Sequence, residues 1–240
     1  MLSININSKK YQENKIIDNF KLKINKSEFI SIIGPSGCGK TSLLNIVSNI
    51  DDDYLGSILF DNENISKSNI GVMFQDSRII PWLSVFENIM LVSISKNEEE
   101  IKNALIEVGL KDYINSYAKE LSGGMQRRVA LVRAFINKPE VLLLDEPFIS
   151  LDHPTAQSLR SDFMRFYEKY KPTVILVTHD LKEAITLSKR IIFLDSKPMK
   201  VILDFENKKD FSSNLDSLEI EQIKENILSK YPKILSGDIS

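Results

Sequence analysis

Apolar residues recur along the chain in short runs, and their spacing predicts strands that alternate with helices. From Leu2 to Ile24, apolar and polar positions alternate on either side of a polar turn at residues 12–15, which predicts two paired strands. Short runs rich in apolar residues predict further strands. These runs cover residues 29–33, 57–60, 70–74, 141–144, 173–178, 191–194 and 200–203. The runs at 141–144 and 173–178 are predicted to be buried strands. Helical segments between the strands indicate an α/β fold.

The chain loses strand character from Val85 to about Phe135. Leu105, Val108 and neighbouring apolar residues repeat at helical spacing, and the acidic run Glu98 to Glu100 suits a helix N-terminus. This segment is therefore predicted to form a separate helical lobe.

Residues 216–230 are predicted to form an amphipathic helix near the end of the chain. Asp216 and Glu219 have the spacing of a capping box. The apolar side is predicted to contain Leu218, Ile223 and Ile227. This pattern is compatible with docking on the body of the protein and with docking on a partner.

Composition narrows the class of protein. A chain of 240 residues can bury one substantial core, so one domain with a lobe is favoured over two independent domains. A net charge of -2 gives no general attraction to nucleic acid. The single cysteine excludes an intrachain disulfide and fits a reducing compartment. Because no run of 18 apolar residues and no signal peptide is visible, attachment to a membrane would need a partner.

The strongest candidate for chemistry lies between the run ending at Ile33 and a helix-like segment beginning at Ser42. It matches the pattern glycine, four residues, glycine, lysine, serine or threonine. Its residues are Gly34, Pro35, Ser36, Gly37, Cys38, Gly39, Lys40 and Thr41. Glycines let successive backbone N–H groups face one point, and a following helix adds its positive end. A triphosphate fits there, with Lys40 on its β and γ phosphates and Thr41 on Mg²⁺.

Three later segments carry further candidates. Ser122, Gly123 and Gly124 start a helix, where they are either a plain N-cap or a second site for phosphate. Asp145 and Glu146 end an apolar strand. There, Asp145 is placed to hold Mg²⁺ and Glu146 to activate a water aimed at a γ-phosphate.

His179 follows another apolar strand, where its ring N–H either meets a γ-phosphate or caps the next helix. Tyr11 beside the first turn is either an edge-strand residue or a purine-stacking ring. The run Asp51 to Asp53 is interpreted as an acidic turn rather than a metal site. Trp82, after Pro81, either marks a contact surface or fills a small local core.

Together, these residues resemble the ATP-binding subunit of ATP-binding cassette (ABC) transporters over about residues 2–205. The sequence Leu121-Ser122-Gly123-Gly124 is the discriminating feature. The resemblance implies a phosphate-loop NTPase core with a mostly parallel sheet, an antiparallel β subdomain and an α-helical signature-motif subdomain. The implied ATPase domain spans residues 1–205, with its helical subdomain at about 76–135, and a helical tail follows at 206–240.

The resemblance also implies roles for single residues, in an ATPase that uses ATP and Mg²⁺. Tyr11 would stack on adenine, and Gln75 would sense Mg²⁺ and the γ-phosphate. Ser122, Gly124 and Asp152 would complete the site of a second copy, so that ATP lies between two subunits arranged head to tail. The helix start and Lys40 are also expected to lower the pKa of the Cys38 thiol, so that alkylation inhibits and ATP protects.

The implied partners are a second copy, membrane permease subunits and a solute-binding protein, at the cytoplasmic face of the membrane. Residues 73–78, Pro81-Trp82 and Glu87-Asn88 resemble the importer branch for nitrate, sulfonates, taurine or pyrimidine precursors. Alternatives are an exporter or lipoprotein-releasing ATPase, a soluble ABC ATPase of DNA repair or translation, and a phosphate-loop kinase or GTPase. The Leu-Ser-Gly-Gly stretch counts against the kinase or GTPase.

Overall fold

A computed structural model describes residues 1–66, 69–195, 198–208 and 217–239. Ten strands are present in these residues: β1 Leu2–Tyr11, β2 Asn14–Ile24, β3 Phe29–Ile33, β4 Leu55–Phe60, β5 Glu63–Asn64, β6 Ile70–Met73, β7 Val141–Asp145, β8 Thr173–Val177, β9 Arg190–Leu194 and β10 Val201–Glu206. The α-helices are α1 Lys40–Val47, α2 Val85–Val92, α3 Glu98–Glu107, α4 Gly123–Phe135, α5 His153–Tyr170, α6 Leu181–Leu187 and α7 Leu218–Lys230. The predicted elements agree with these bounds within a few residues.

The backbone forms two compact units, residues 1–67 with 173–240, and residues 68–172. In the first unit, β2, β1, β4 and β5 pair side by side as an antiparallel sheet. In the same unit β3 lies between β8 and β9 in parallel, and β10 pairs antiparallel with β9. Every residue of β3 and β8 is buried, as their continuous apolar sequences predict.

The second unit contains the parallel pair β6 and β7 and the helices α2 to α5. No strand interrupts residues 85–135, so the prediction of a helical segment there is confirmed. The predicted domain boundaries at about residues 76, 135 and 205 stay predictions. Within the described residues, no helix combines the length and the apolar character that crossing a bilayer needs.

The C-terminal helix α7 packs on the first unit rather than leaving a free face. Ile220, Ile227 and Ile234 are buried against α6 and the sheet, and Glu221 pairs with Lys182 at 2.7 Å. The prediction that Leu218 belongs to the apolar side is wrong, because Leu218 is 84% exposed and the buried position is Ile220. The cap of α7 is Ser217, and the predicted capping residue Asp216 lies outside the described residues.

Candidate functional site

The glycine-rich loop connects β3 to α1 with the geometry that a phosphate loop requires. Gly37 and Gly39 have φ angles of 75° and 109°, in the region where only glycine is unstrained. Gly39 is also crowded, because a Cβ there would lie 2.7 Å from Cγ2 of Ile16. The loop therefore depends on both glycines for its shape.

Lys40 points into this loop. Its ammonium Nζ donates to the carbonyl oxygens of Gly34 at 2.7 Å and of Pro35 at 3.0 Å. An ammonium has three N–H donors, so beyond these two carbonyls Lys40 can also donate to a ligand.

The N-terminus of α1 is unlike those of the other helices. Among the α-helices of the described residues, the other six carry a side-chain cap, whereas α1 has no such cap and no acidic residue in its first turn. Its first N–H groups and the positive end of its dipole face the loop without a carboxylate. The chemistry of this loop fits the phosphates of a nucleotide.

Cys38 does not have the reactive character expected from its neighbours. Its side chain is buried, with 1% of its surface exposed. Burial raises the pKa of the thiol, and the opposing charge of Lys40 does not compensate. The predicted lowering of this pKa is therefore wrong, because desolvation outweighs the helix end and the lysine.

His179 lies at the same edge of the sheet as the loop. Ile32 on β3 pairs with Val177 on β8, so two residues further along the strands Gly34 and His179 are level. The alternative role of His179 as helix cap is excluded, because Asp180 caps α6 by accepting from the N–H groups of Lys182 and Glu183. His179 is thus exposed at the sheet edge beside the glycine loop.

Tyr11 ends β1 and is part of a small polar network. Its hydroxyl donates to Asp51 at 3.2 Å, and the Lys9 ammonium lies 4.7 Å from its ring centre. Lys9 pairs with both Asp51 and Asp53, so one lysine offsets part of the negative charge of this acidic turn. Burial opposes the charge on Asp51, but its bonds to Lys9, the Asp53 N–H and the Tyr11 hydroxyl outweigh burial and hold its pKa below the ordinary value. Tyr11 is 47% exposed, and adenine stacking stays a prediction for it.

In the second unit, the ends of β6 and β7 bring three candidate residues to one edge. Met73 pairs with Leu144 in the last pair of this ladder. Gln75 and Glu146 each follow that pair by two residues, and Asp145 is the last residue of β7. Asp145 is buried, whereas Gln75 is exposed. Glu146 has a φ of 46°, a left-handed conformation that a non-glycine residue adopts at some cost.

The signature residues and Asp152 also meet in this unit. Ser122 caps α4 by accepting from the N–H of Met125 at 3.4 Å. Asp152 caps α5 by accepting from the N–H of Thr155 at 3.2 Å, and hydrogen bonds from Thr155 lower the pKa of its carboxyl. Thr155 joins the two motifs, because a Cβ on Gly124 would lie 2.5 Å from its Cγ2.

Sequence reasoning missed three residues that support this site. Thr155 gave no pattern signal. Arg127 and Arg133 hold the segment that contains Gln75. The available signal was the presence of three arginines, Arg127, Arg128 and Arg133, within α4. Trp82 is 72% exposed, which excludes the alternative that it fills a local core.

Comparison with known proteins settles the family. Residues 17–149, more than half of the chain, match the ABC transporter family. The chain belongs to the ABC transporter family. The predicted resemblance and the α/β cassette fold are thus confirmed, and the activity of such cassettes is ATP hydrolysis with ATP and Mg²⁺.

Individual relatives indicate which members of the ABC transporter family this cassette resembles in sequence. It is 40% identical to the aliphatic sulfonates import ATP-binding protein SsuB of Bacillus cereus over 223 residues, which cover 90% of this chain and 88% of that protein. It is 38% identical to an uncharacterized ABC transporter ATP-binding protein of Methanocaldococcus jannaschii, over 89% of this chain and 84% of that protein. A solved dimeric ATP-binding cassette bound to ADP and Pi has a TM-score of 0.75 and 29% identity, covering 88% of this chain and all of that one.

Proposed function

We propose that this cassette is the ATP-hydrolysing subunit of an importer for a small solute of the sulfonate, nitrate, taurine or pyrimidine-precursor class. The glycine loop with its uncapped helix α1 is the observation that carries the ATPase assignment. The similarity to sulfonate import proteins supports the importer branch and this substrate class. The exporter, soluble-ATPase and kinase or GTPase alternatives have no such support.

We infer a catalytic cycle in which two copies enclose two nucleotides. The loop from Gly34 to Ser42 of one copy holds the phosphates, and Ser122 and Gly124 of the other copy approach the γ-phosphate. The dimeric state of the solved cassette supports this arrangement. Neither half alone surrounds the γ-phosphate, so nucleotide stabilises the closed pair by mass action.

Within each site, the side chains divide the work of phosphoryl transfer to water. Glu146 accepts a proton from the attacking water, and His179 donates its ring N–H to the γ-phosphate. Lys40 stabilises the charge that develops on the leaving phosphates. Thr41, Asp145 and Gln75 would hold Mg²⁺, which when bound would supply further positive charge to the phosphates.

Gly123 gives independent support for the close approach of another molecule. It starts α4 and is exposed. Apart from its chain neighbours and the adjacent backbone of α4, no atom of the described residues would lie within 4 Å of a Cβ there. Where the backbone suits alanine, glycine is the less stable residue, and no contact among the described residues requires glycine here. A phosphate or a second subunit approaching the backbone does favour it.

We propose that the surface around Trp82 receives the permease. The backbone N–H groups of residues 118 and 119 donate hydrogen bonds to the turn that contains Trp82. The exposed rings of Tyr113 and Tyr117 lie on the same unit. Tryptophan and tyrosine are enriched in protein interfaces. From the proposed import function we also infer a solute-binding protein on the far side of the membrane. The same function implies that the cassette lies at the cytoplasmic face.

The base assignment is tested with Glu146→Gln. Loss of the carboxylate should lower kcat by a factor of about 1,000 or more and leave ATP binding intact, so that a MgATP-bound dimer accumulates. ATPase assays and size-exclusion chromatography with and without MgATP measure both effects. Hydrolysis at the parent rate would refute the role of Glu146.

The permease surface is tested with Trp82→Ala in cells that express the whole transporter. Co-purification of the permease should fall, while ATP binding by the isolated cassette stays unchanged. Leu218→Ala, at an exposed apolar residue of the other unit, is the matched control. Full permease recovery with Trp82→Ala would contradict this docking surface.

A further inference from the structure

The segment of residues 74–78, which contains Gln75, is attached to α4 by two arginine side chains. Arg127 Nη1 donates to the carbonyl oxygen of Phe74 at 3.1 Å. Arg133 donates through Nη1 to the carbonyl of Arg78 at 2.6 Å and through Nη2 to that of Ser77 at 2.7 Å. Three carbonyls at the ends of this segment are thus bound by one helix, and the exposed Gln75 lies between them.

These arginines are unusual in the partners that they use. Neither forms an ion pair with a carboxylate among the described residues. Burial lowers the pKa of both guanidinium groups, and only the charge of Asp76 opposes this for Arg127. A buried cation is costly unless its donors are satisfied, and apolar side chains would join a loop to a helix at lower cost. The planar fork of arginine instead fixes the positions of individual carbonyl groups.

The two end residues of the segment also contact each other. The Arg78 guanidinium lies 3.7 Å from the centre of the Phe74 ring, and Arg78 has a φ of 45°. The two end residues of the segment, Phe74 and Arg78, are therefore linked to each other as well as to α4. This arrangement favours movement of the segment as one piece with the helix.

The same helix begins at the signature motif. Arg127 and Arg133 lie four and ten residues beyond Gly123, which corresponds to about 6 Å and about 15 Å along the helix axis. A helix of this length is stiff, so a displacement at Ser122 is carried to both arginines.

We propose that Arg127 and Arg133 are positioning residues that make Gln75 follow the movement of α4. When Ser122 engages the nucleotide of a second copy, the arginines bring the Gln75 carboxamide to the place where it meets Mg²⁺ and the γ-phosphate. Neither arginine touches the nucleotide. This inference rests on the proposed role of Gln75.

The test compares Arg127→Met and Arg133→Met with Arg128→Met on the same helix. Arg128 is the matched control because it binds Ser158 at 2.7 Å and Asp162 at 3.1 Å on α5, not the segment. In nucleotide-free protein, amide hydrogen exchange of residues 74–79 should accelerate about tenfold or more in both test variants, as expected when a charged hydrogen bond is lost. The control should leave this exchange unchanged.

Magnesium dependence separates positioning from general stability. Both test variants should raise the Mg²⁺ concentration for half-maximal ATPase severalfold and lower kcat about tenfold or more, with KM for ATP changed less than about twofold. Arg133→Lys should be intermediate, since one ammonium does not reproduce the fork. If Arg133→Met is poorly folded, exchange and Mg²⁺ dependence in Arg133→Lys and Arg127→Met decide the question.

Gln75→Ala distinguishes the two ways of failing. If Gln75→Ala keeps the parent kcat and Mg²⁺ dependence, the proposed role of Gln75 is wrong and the inference falls with it. If Gln75→Ala is impaired while the arginine variants behave like Arg128→Met, only the positioning role is overturned.

Discussion

Replacing Gly123 with alanine separates the stability of this cassette from its activity. Apart from its chain neighbours and the adjacent backbone of α4, no atom of the described residues would lie within 4 Å of the added methyl group, so it introduces no clash with the rest of the described structure. At a position whose backbone conformation suits alanine, replacing glycine stabilises a protein by about 0.4–1 kcal/mol, chiefly because the unfolded chain becomes less flexible. For a chain of this size, that corresponds to a rise in Tm of about 1–4 °C.

The same methyl group would project toward whatever approaches the start of α4. If the γ-phosphate of a second copy contacts this backbone, misplacing it by about 1 Å lowers kcat on the order of 100-fold. Gly123→Ala should therefore unfold at a higher temperature and hydrolyse ATP poorly. Thermal unfolding of nucleotide-free protein and steady-state ATPase assays measure the two effects.

Gly124→Ala is the matched comparison at the next position. Its methyl group would lie 2.5 Å from Cγ2 of Thr155, and such overpacking costs about 1–3 kcal/mol. Adding Thr155→Ser removes that carbon and should restore stability but not activity. Full ATPase activity in Gly123→Ala, with normal MgATP-dependent dimerisation, would refute the close approach.

Three further predictions concern stability and pH. Ile220→Ala should destabilise the protein by about 2–5 kcal/mol in urea unfolding, because Ile220 is fully buried, while Leu218→Ala should change stability by less than about 0.5 kcal/mol; equal effects would contradict the packing of α7. Alkylation of Cys38 by iodoacetamide should be slow at neutral pH and reach half its maximal rate only above pH 9.0, its ordinary pKa, because burial raises that pKa; rapid reaction at pH 7 would contradict this. The Asp51 carboxylate should contribute its full stabilisation above its unfolded pKa near 3.8, and this contribution should be lost as the pH falls through its lowered folded pKa. Asp51→Asn should therefore reduce the decrease in the free energy of unfolding measured from pH 5 to pH 2.

Much of this architecture follows from local sequence signals. Continuous apolar runs identified the buried strands β3, β7 and β8, because a strand covered on both faces has no polar position. The glycine loop was predictable because its backbone geometry restricts the residue types. The buried face of α7 was not predictable in the same way. Whether Leu218 or Ile220 is buried depends on where the helix begins, and packing against α6 sets that start.

The missed features all depend on long-range contacts. The pKa of Cys38 is decided by burial from residues distant in sequence, whereas its helix end and lysine neighbour are local and suggested the opposite shift. Thr155 meets Gly124 only through the packing of α5 near α4. Arg133 donates hydrogen bonds to the carbonyls of residues 77 and 78, which lie more than 50 positions earlier in the sequence, and no sequence periodicity predicts these bonds.

The most direct test of the central claim is a structure of the Glu146→Gln variant with MgATP. We expect two copies and two nucleotides, with the Ser122 hydroxyl of each copy within hydrogen-bond distance of the γ-phosphate held by the Lys40 loop of the other. A closed, nucleotide-filled dimer in which Ser122 of both copies stays remote from both nucleotides would contradict it.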